Sequence, residues 1–186
     1  MIHEITSKVL DFLKKEGSNY LLTFDDGLFS QYYYLDELKK INTKKIFFVS
    51  TGLVHDLSKS SQLLNIDCRT AHKNFFENGD TSPYMTKDQI KEIMKTKDCE
   101  VGGHSHLHPR FKNLSSLKEK IDALTKDTDL MMEWFLNELN FIPKKYCLPY
   151  NFDYHGLLSS LLKKKYNLEV FGRGRIKVEE IINITD

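Results

Sequence analysis

The chain has 186 residues, 40% of them hydrophobic and 28% charged, which suits one domain spanning residues 1–186 with a sizeable buried core. Lys and Arg number 27 against 26 Asp and Glu, and a formal net charge of +1 leaves no global field to attract nucleic acid or an anionic membrane. The three cysteines, Cys68, Cys99 and Cys147, are widely spaced with no C-x-x-C pair, which argues against a disulfide framework or a thiolate zinc site, so they read as free thiols.

No stretch approaches the ~20 apolar residues of a spanning helix. The N-terminus carries Glu4, Lys8, Asp11, Lys14 and Lys15 among its apolar positions, unlike a signal peptide. A cytoplasmic protein without a membrane span is the expectation. Ile5, Val9, Phe12 and Leu13 at helical spacing, with Gly17 behind them, predict an opening amphipathic helix. Tyr20 to Phe24 and Lys45 to Ser50 read as buried strands, and Phe29 to Ile41 between them as a crossover helix, the order of a right-handed parallel unit. The segment from about 55 to 83 mixes Ser, Asn and Asp with short apolar pieces and reads as an insertion, the kind of segment that often shapes a binding site. Thr86 to Gln89 has capping-box spacing before a helix, and Cys99 to Gly102 follows as a third strand. Ser116 to Glu119 opens the longest helix in the same way, with Leu117, Ile121, Leu124, Met131, Phe135 and Leu139 as its apolar stripe. Lys145 to Leu148 is a fourth strand, and Leu157 to Tyr166 and Leu168 to Phe171 a last helix and strand.

In parallel α/β folds, sites are built on the loops leaving the carboxyl ends of the strands. Asp25-Asp26-Gly27 follows strand one, His104 to Pro109 follows strand three and Pro149-Tyr150 follows strand four. Two adjacent carboxylates repel each other unless solvent or a cation stabilises them. Two imidazoles and one carboxylate fill three positions of a catalytic zinc-type site and leave the fourth for water, while a second carboxylate can take that water's proton. Each cluster has a plainer reading, Asp-Asp-Gly as a capped turn and histidines as surface residues. Three of the seven histidines within five residues, directly after Gly102-Gly103, are hard to explain as packing. If the strand continues, His104 and His106 share a side, as in a metal hydrolase with His-x-His; if the chain turns helical, His104 and His108 share a face. Tyr32-Tyr33-Tyr34, Phe75-Phe76, Tyr84 and Trp134 are aromatic residues of the kind that stack on sugar rings, but most read as core: Tyr84, near the end of the insertion, is the one singled out for a ligand, whereas Trp134 on the long helix reads as packing.

Thr23-Phe24-Asp25-Asp26-Gly27 and His104-Ser105-His106-Leu107-His108-Pro109 resemble the first two motifs of the polysaccharide deacetylases, the NodB-homology group also called carbohydrate esterase family four. The resemblance covers roughly residues 20 to 175. It implies an α/β fold, a distorted, incomplete (β/α) barrel of parallel strands. It also implies hydrolysis of an N-acetyl or O-acetyl group on an acetylated carbohydrate, with Asp25 as base and Asp26, His104 and His108 on a divalent metal. Zn2+ is the first choice, and Co2+, Ni2+ or Fe2+ suit the same ligands. His106 is then a neighbour, and the Tyr150 backbone N–H helps hold the oxyanion. The chain departs from the family at its third motif, where Tyr146-Cys147-Leu148-Pro149-Tyr150 has Cys147 in place of an arginine, and it has no histidine after His155 to serve as the family's late general acid. His155 as acid and Arg173 or Arg175 as orienting residue are the substitutes the sequence offers. The departures leave room for a catalytically silent relative that binds an acetylated sugar.

Overall fold

The computed structural model describes residues 1–172 and 174–185, without the side chains of Ile184 and Thr185. Five strands, β1 (Leu22–Phe24), β2 (Lys45–Val49), β3 (Cys99–Gly103), β4 (Lys145–Cys147) and β5 (Glu169–Phe171), form one sheet in sequence order. The pairs β1/β2, β3/β4 and β4/β5 are parallel. Among the described residues eight α-helices alternate with them: α1 (Ser7–Glu16), α2 (Phe29–Tyr33), α3 (Leu35–Lys39), α4 (Cys68–Asn78), α5 (Lys87–Lys95), α6 (Leu117–Leu139), α7 (Leu157–Tyr166) and α8 (Val178–Thr185). Parallel neighbours require crossovers, and helices supply them. The chain falls into two compact units, residues 1–47, 53–101 and 176–186 in one and 48–52 with 102–175 in the other.

In the first unit β1 is buried throughout, and Phe24 stacks on Phe47 with centroids 4.6 Å apart. Ile2 extends the pairing beyond β1: its N–H donates to the Thr23 carbonyl, and its own carbonyl accepts from the Asp25 N–H, each at 2.8 Å. The opening helix is α1, capped by Thr6 and buried along Val9, Leu10 and Leu13. The helix expected over Phe29 to Ile41 is broken at Tyr34, whose ψ of 14° ends α2 and starts α3. The break lets Ser30 and Gln31 on one segment and Leu35 and Leu38 on the next all turn inward. Lys45 is buried, and its ammonium donates to the carbonyls of Ile41 and Thr43 at 2.7 and 2.8 Å. Burial pulls its pKa down.

The insertion is not structureless. Asp67 accepts from the Thr70 N–H at 3.0 Å and caps α4, which Gly79 ends with a left-handed φ of 69°. Ala71 of this helix packs with Leu28, Leu53 and Tyr84. Tyr84 is therefore core, 1% exposed, and does not present its ring to a ligand as its place near the end of the insertion suggests. The reciprocal capping box read at Thr86/Gln89 is present on α5. A last helix absent from the sequence reading, α8, buries Val178 and Ile182, and the Val178 N–H donates to the Met1 carbonyl at 3.1 Å.

In the second unit the capping box at Ser116/Glu119 opens α6, whose buried face carries Leu124, Met131 and Phe135. Gly102 is pressed against its neighbours: a Cβ there would lie 2.8 Å from two ring carbons of Phe48 and 2.9 Å from the Lys145 carbonyl oxygen. A side chain at this position would force the strands apart, so glycine is the residue that permits the pairing.

Candidate active site

In the first unit the chain leaves β1 into Asp25 and Asp26, both 2% exposed. Asp26 (φ 73°) and Gly27 (φ 79°) are left-handed in succession, a conformation that Asp tolerates better than most side chains and Gly adopts freely. The Gly27 carbonyl is tied by the Met85 N–H at 2.9 Å. The buried Gln31 amide clamps the turn from below, its Nε2 donating to the carbonyls of both His3 and Asp25 at 2.6 Å.

Asp26 sits against the insertion. The Cys68 thiol donates to its Oδ2 at 3.0 Å, and His72 Nε2 lies 3.6 Å from its Oδ1. The Cys68 Sγ is 3.3 Å from His72 Nδ1, since positions four apart on α4 share a face. Burial first, and then the Asp26 charge, pushes the Cys68 pKa well up. His3, Asp26 and Cys68 each present a ligand atom, all within 4.8 Å of one another. Cys68, His72, His3 and Gln31 were missed by sequence reasoning; the signal available was the Cys-x-x-x-His spacing directly after an Asp suited to cap a helix.

In the second unit, residues 104–109 continue neither as strand nor as helix. Ser105 (φ 77°) and His108 (φ 51°) are left-handed, and the Ser105 Oγ accepts from the His108 N–H at 2.8 Å, folding the segment into a tight turn. His104 is fastened by its N–H to the Val49 carbonyl at 2.8 Å. Its Nδ1 lies 2.9 Å from the Cys147 carbonyl, and because a carbonyl only accepts, that nitrogen carries the hydrogen. The lone pair is then on Nε2, which faces His108 Nε2 at 3.2 Å. Two buried imidazole nitrogens aimed at each other share a cation or a proton, so the pair suits a metal whose ligands are neutral histidines.

His106 turns elsewhere. Its Nδ1 meets Thr51 Oγ1 at 2.8 Å, its carbonyl accepts from the Gly52 N–H at 2.8 Å, and burial lowers its pKa, outweighing the nearby Asp127. Asp127 of α6 accepts from the N–H groups of His106 and Leu107 at 2.7 and 2.9 Å. This residue too went unread, although an Asp three positions after Leu124 and four before Met131 stands on the apolar stripe.

Tyr150 is left-handed (φ 57°) within the 3-10 turn Pro149–Asn151 and is 49% exposed. Its ring lies 4.6 Å from that of His108, and the Arg110 guanidinium lies 5.2 Å from its centroid. Arg175 donates through Nη2 to Cys147 Sγ at 2.7 Å and to Asn151 Oδ1 at 2.9 Å. His155 is exposed with its ring edge-on to Tyr154, and Arg173 lies outside the described residues.

The family model described as polysaccharide deacetylase matches residues 12–152, well over half of the chain. The chain belongs to the polysaccharide deacetylase family. Among solved structures it is similar to IcaB from Ammonifex degensii, at 21% identity and a TM-score of 0.65, covering 95% of this chain and 82% of that one. A de-N-acetylase from Aggregatibacter actinomycetemcomitans matches at 17% identity and a TM-score of 0.61, covering 94% and 72%. The Streptococcus pyogenes deacetylase PplD, in complex with acetate, matches at 16% identity and a TM-score of 0.52, covering 99% and 79%. No curated protein matches significantly. These likenesses show the fold, the incomplete parallel (β/α) barrel expected from the motifs. For this family member, no helix among the described residues is long and apolar enough to cross a membrane.

Proposed function

We propose that this polysaccharide deacetylase relative hydrolyses an N-acetyl or O-acetyl group from a carbohydrate and releases acetate, using a divalent metal held by Asp26, His104 and His108. The observation that carries the reading is the opposed His104 and His108 Nε2 atoms at 3.2 Å, with the Nδ1 hydrogen of His104 committed to the Cys147 carbonyl. A zinc-class ion bound there supplies Lewis acidity, polarising the acetyl carbonyl and making a water proton easier to remove.

The chain's own residues supply the rest. Asp25, kept off the ligand set, takes the proton of the attacking water as general base. The backbone N–H of Tyr150 stabilises the oxyanion of the tetrahedral intermediate, and the exposed Tyr150 ring is a surface on which a sugar can rest. The Cys147 carbonyl keeps His104 in the tautomer that leaves Nε2 to bind.

The test is acetate release from an acetylated chitooligosaccharide by purified protein loaded with zinc or cobalt. Asp25→Asn is expected to lower the rate on the order of 10²–10⁴-fold. Undiminished release by that variant would remove Asp25 from the mechanism.

One departure favours a second reading: Cys147 stands where the family's third motif commonly carries an arginine, and its Sγ is engaged by Arg175. A relative that binds acetylated sugar without turnover fits that departure. Saturable binding with no acetate from any acetylated substrate would select it, and multiple turnovers on one substrate would eliminate it.

A further inference from the structure

We propose that His3, Cys68 and His72, together with Asp26, form a second metal site, one for a single thiophilic divalent ion of the zinc class. It lies wholly within the first unit and shares only Asp26 with the ligand set proposed above. The donor set is one thiolate, two imidazoles and one carboxylate, all of them zinc ligands. With metal–ligand distances of about 2.0–2.3 Å, tetrahedral coordination separates neighbouring donors by roughly 3.4–3.6 Å. Cys68 Sγ lies 3.0 Å from Asp26 Oδ2 and 3.3 Å from His72 Nδ1, the one His72 nitrogen that can serve an ion beside the thiolate; the 3.6 Å approach of His72 to Asp26 Oδ1 runs through its other nitrogen, Nε2. A ligand atom of His3 lies within 4.8 Å of those of both Asp26 and Cys68.

The scaffold holding these donors is fixed by hydrogen bonds of its own. Cys68 opens α4, whose N-terminus is fixed by the Asp67 cap and by the Cys68 N–H donating to Glu4 Oε2 at 3.3 Å. His72 follows one turn later on the same face. His3 is carried by the segment that Ile2 pairs against β1, and its carbonyl is gripped by Gln31. A carboxylate oxygen has two lone pairs, so Asp26 can serve an ion on the Cys68 side and still offer a lone pair elsewhere. Binding releases the thiol proton, which now sits on the Asp26 hydrogen bond, to solvent, and the thiolate takes its place as ligand.

Cobalt(II) titration of the full chain tests this, because a thiolate ligand produces a sulfur-to-cobalt charge-transfer band that imidazole and carboxylate ligands do not. Wild-type protein is expected to show the band and to bind one equivalent more than Cys68→Ser, in which the band is lost. His72→Ala and His3→Ala are expected to weaken the band-forming equivalent by about tenfold or more. The His104→Ala/His108→Ala double variant is expected to retain the band, which separates this site from the proposed catalytic ion. A wild-type protein without the band, or a band that survives in Cys68→Ser with its melting temperature unchanged, would overturn the assignment.

Discussion

The carboxylate of Asp127, in the middle of α6, accepts the main-chain N–H of His106 at 2.7 Å and that of the next residue, Leu107, at 2.9 Å. A buried acid thus holds the crest of the turn that presents His104 and His108. Asp127→Ala leaves two N–H groups without their acceptor, at about 1–3 kcal/mol for each one orphaned. Asp127→Asn is expected to lose about half as much, since its amide keeps one accepting oxygen. Urea denaturation with an unchanged m-value checks both.

The same residue carries a pH signature. Burial raises the Asp127 pKa, against the opposing hydrogen bonds from Leu107 and His106. A carboxyl whose folded pKa exceeds its unfolded value, about 3.9, holds its proton longer in the native state, so its contribution to stability falls as pH rises through that window. The stability of the wild type relative to Asp127→Asn is therefore expected to decline between about pH 4 and the raised folded value. A difference that stays flat or grows with pH, followed by denaturant titration at each pH, would contradict this.

Gly102→Ala is expected to destabilise the protein by at least about 1–3 kcal/mol, because the added methyl meets the Phe48 ring at 2.8 Å and a main-chain oxygen that cannot rotate away at 2.9 Å. Gly103→Ala makes a closer contact, but with the Met131 sulfur, at the far end of a flexible side chain. The Gly102 variant should be the less stable of the two in thermal melts.

Gln31→Met keeps the volume of the side chain and removes the donor shared by the His3 and Asp25 carbonyls. It is expected to cost about 1–3 kcal/mol and to speed amide hydrogen exchange at Asp25, whose N–H is paired with Ile2. Unaltered exchange there would show that the Ile2 pairing alone holds the turn.

Loading with zinc at a hundredfold excess over Kd is expected to add about 2.7 kcal/mol of stability for each site filled, several degrees of melting temperature at roughly 2–4 °C per kcal/mol. Chelation should reverse it. His108→Ala is expected to reduce the response and His106→Ala to leave most of it, since the His106 ring is directed to Thr51. The opposite order would move the ligand role from His108 to His106.

Much of the architecture was legible in the chain because it is written locally. Buried strands are short apolar runs, α5 and α6 announce themselves by Thr86/Gln89 and Ser116/Glu119, and both are present as capping boxes. The position of Asp25-Asp26-Gly27 and of the histidine cluster, each directly after a strand, was equally plain. Local signals failed where conformation depends on distant partners: the break at Tyr34, the helix α4 inside the insertion, and α8, whose first N–H meets the carbonyl of Met1.

The sequence by itself determined the order of the strands, the family and the residue types offered at each strand end. Tertiary structure decided which of those side chains face one another. His104 meets His108 rather than His106 because left-handed backbone at Ser105 and His108, the Ser105 hydroxyl and Asp127 from α6 fold the segment into a turn that neither strand nor helix periodicity describes. Cys68 and His72 reach Asp26 because an insertion some forty residues away in sequence forms a capped helix beside it. Hydrophobic period is a property of neighbours along the chain, whereas these hydrogen bonds join residues that only folding brings within reach.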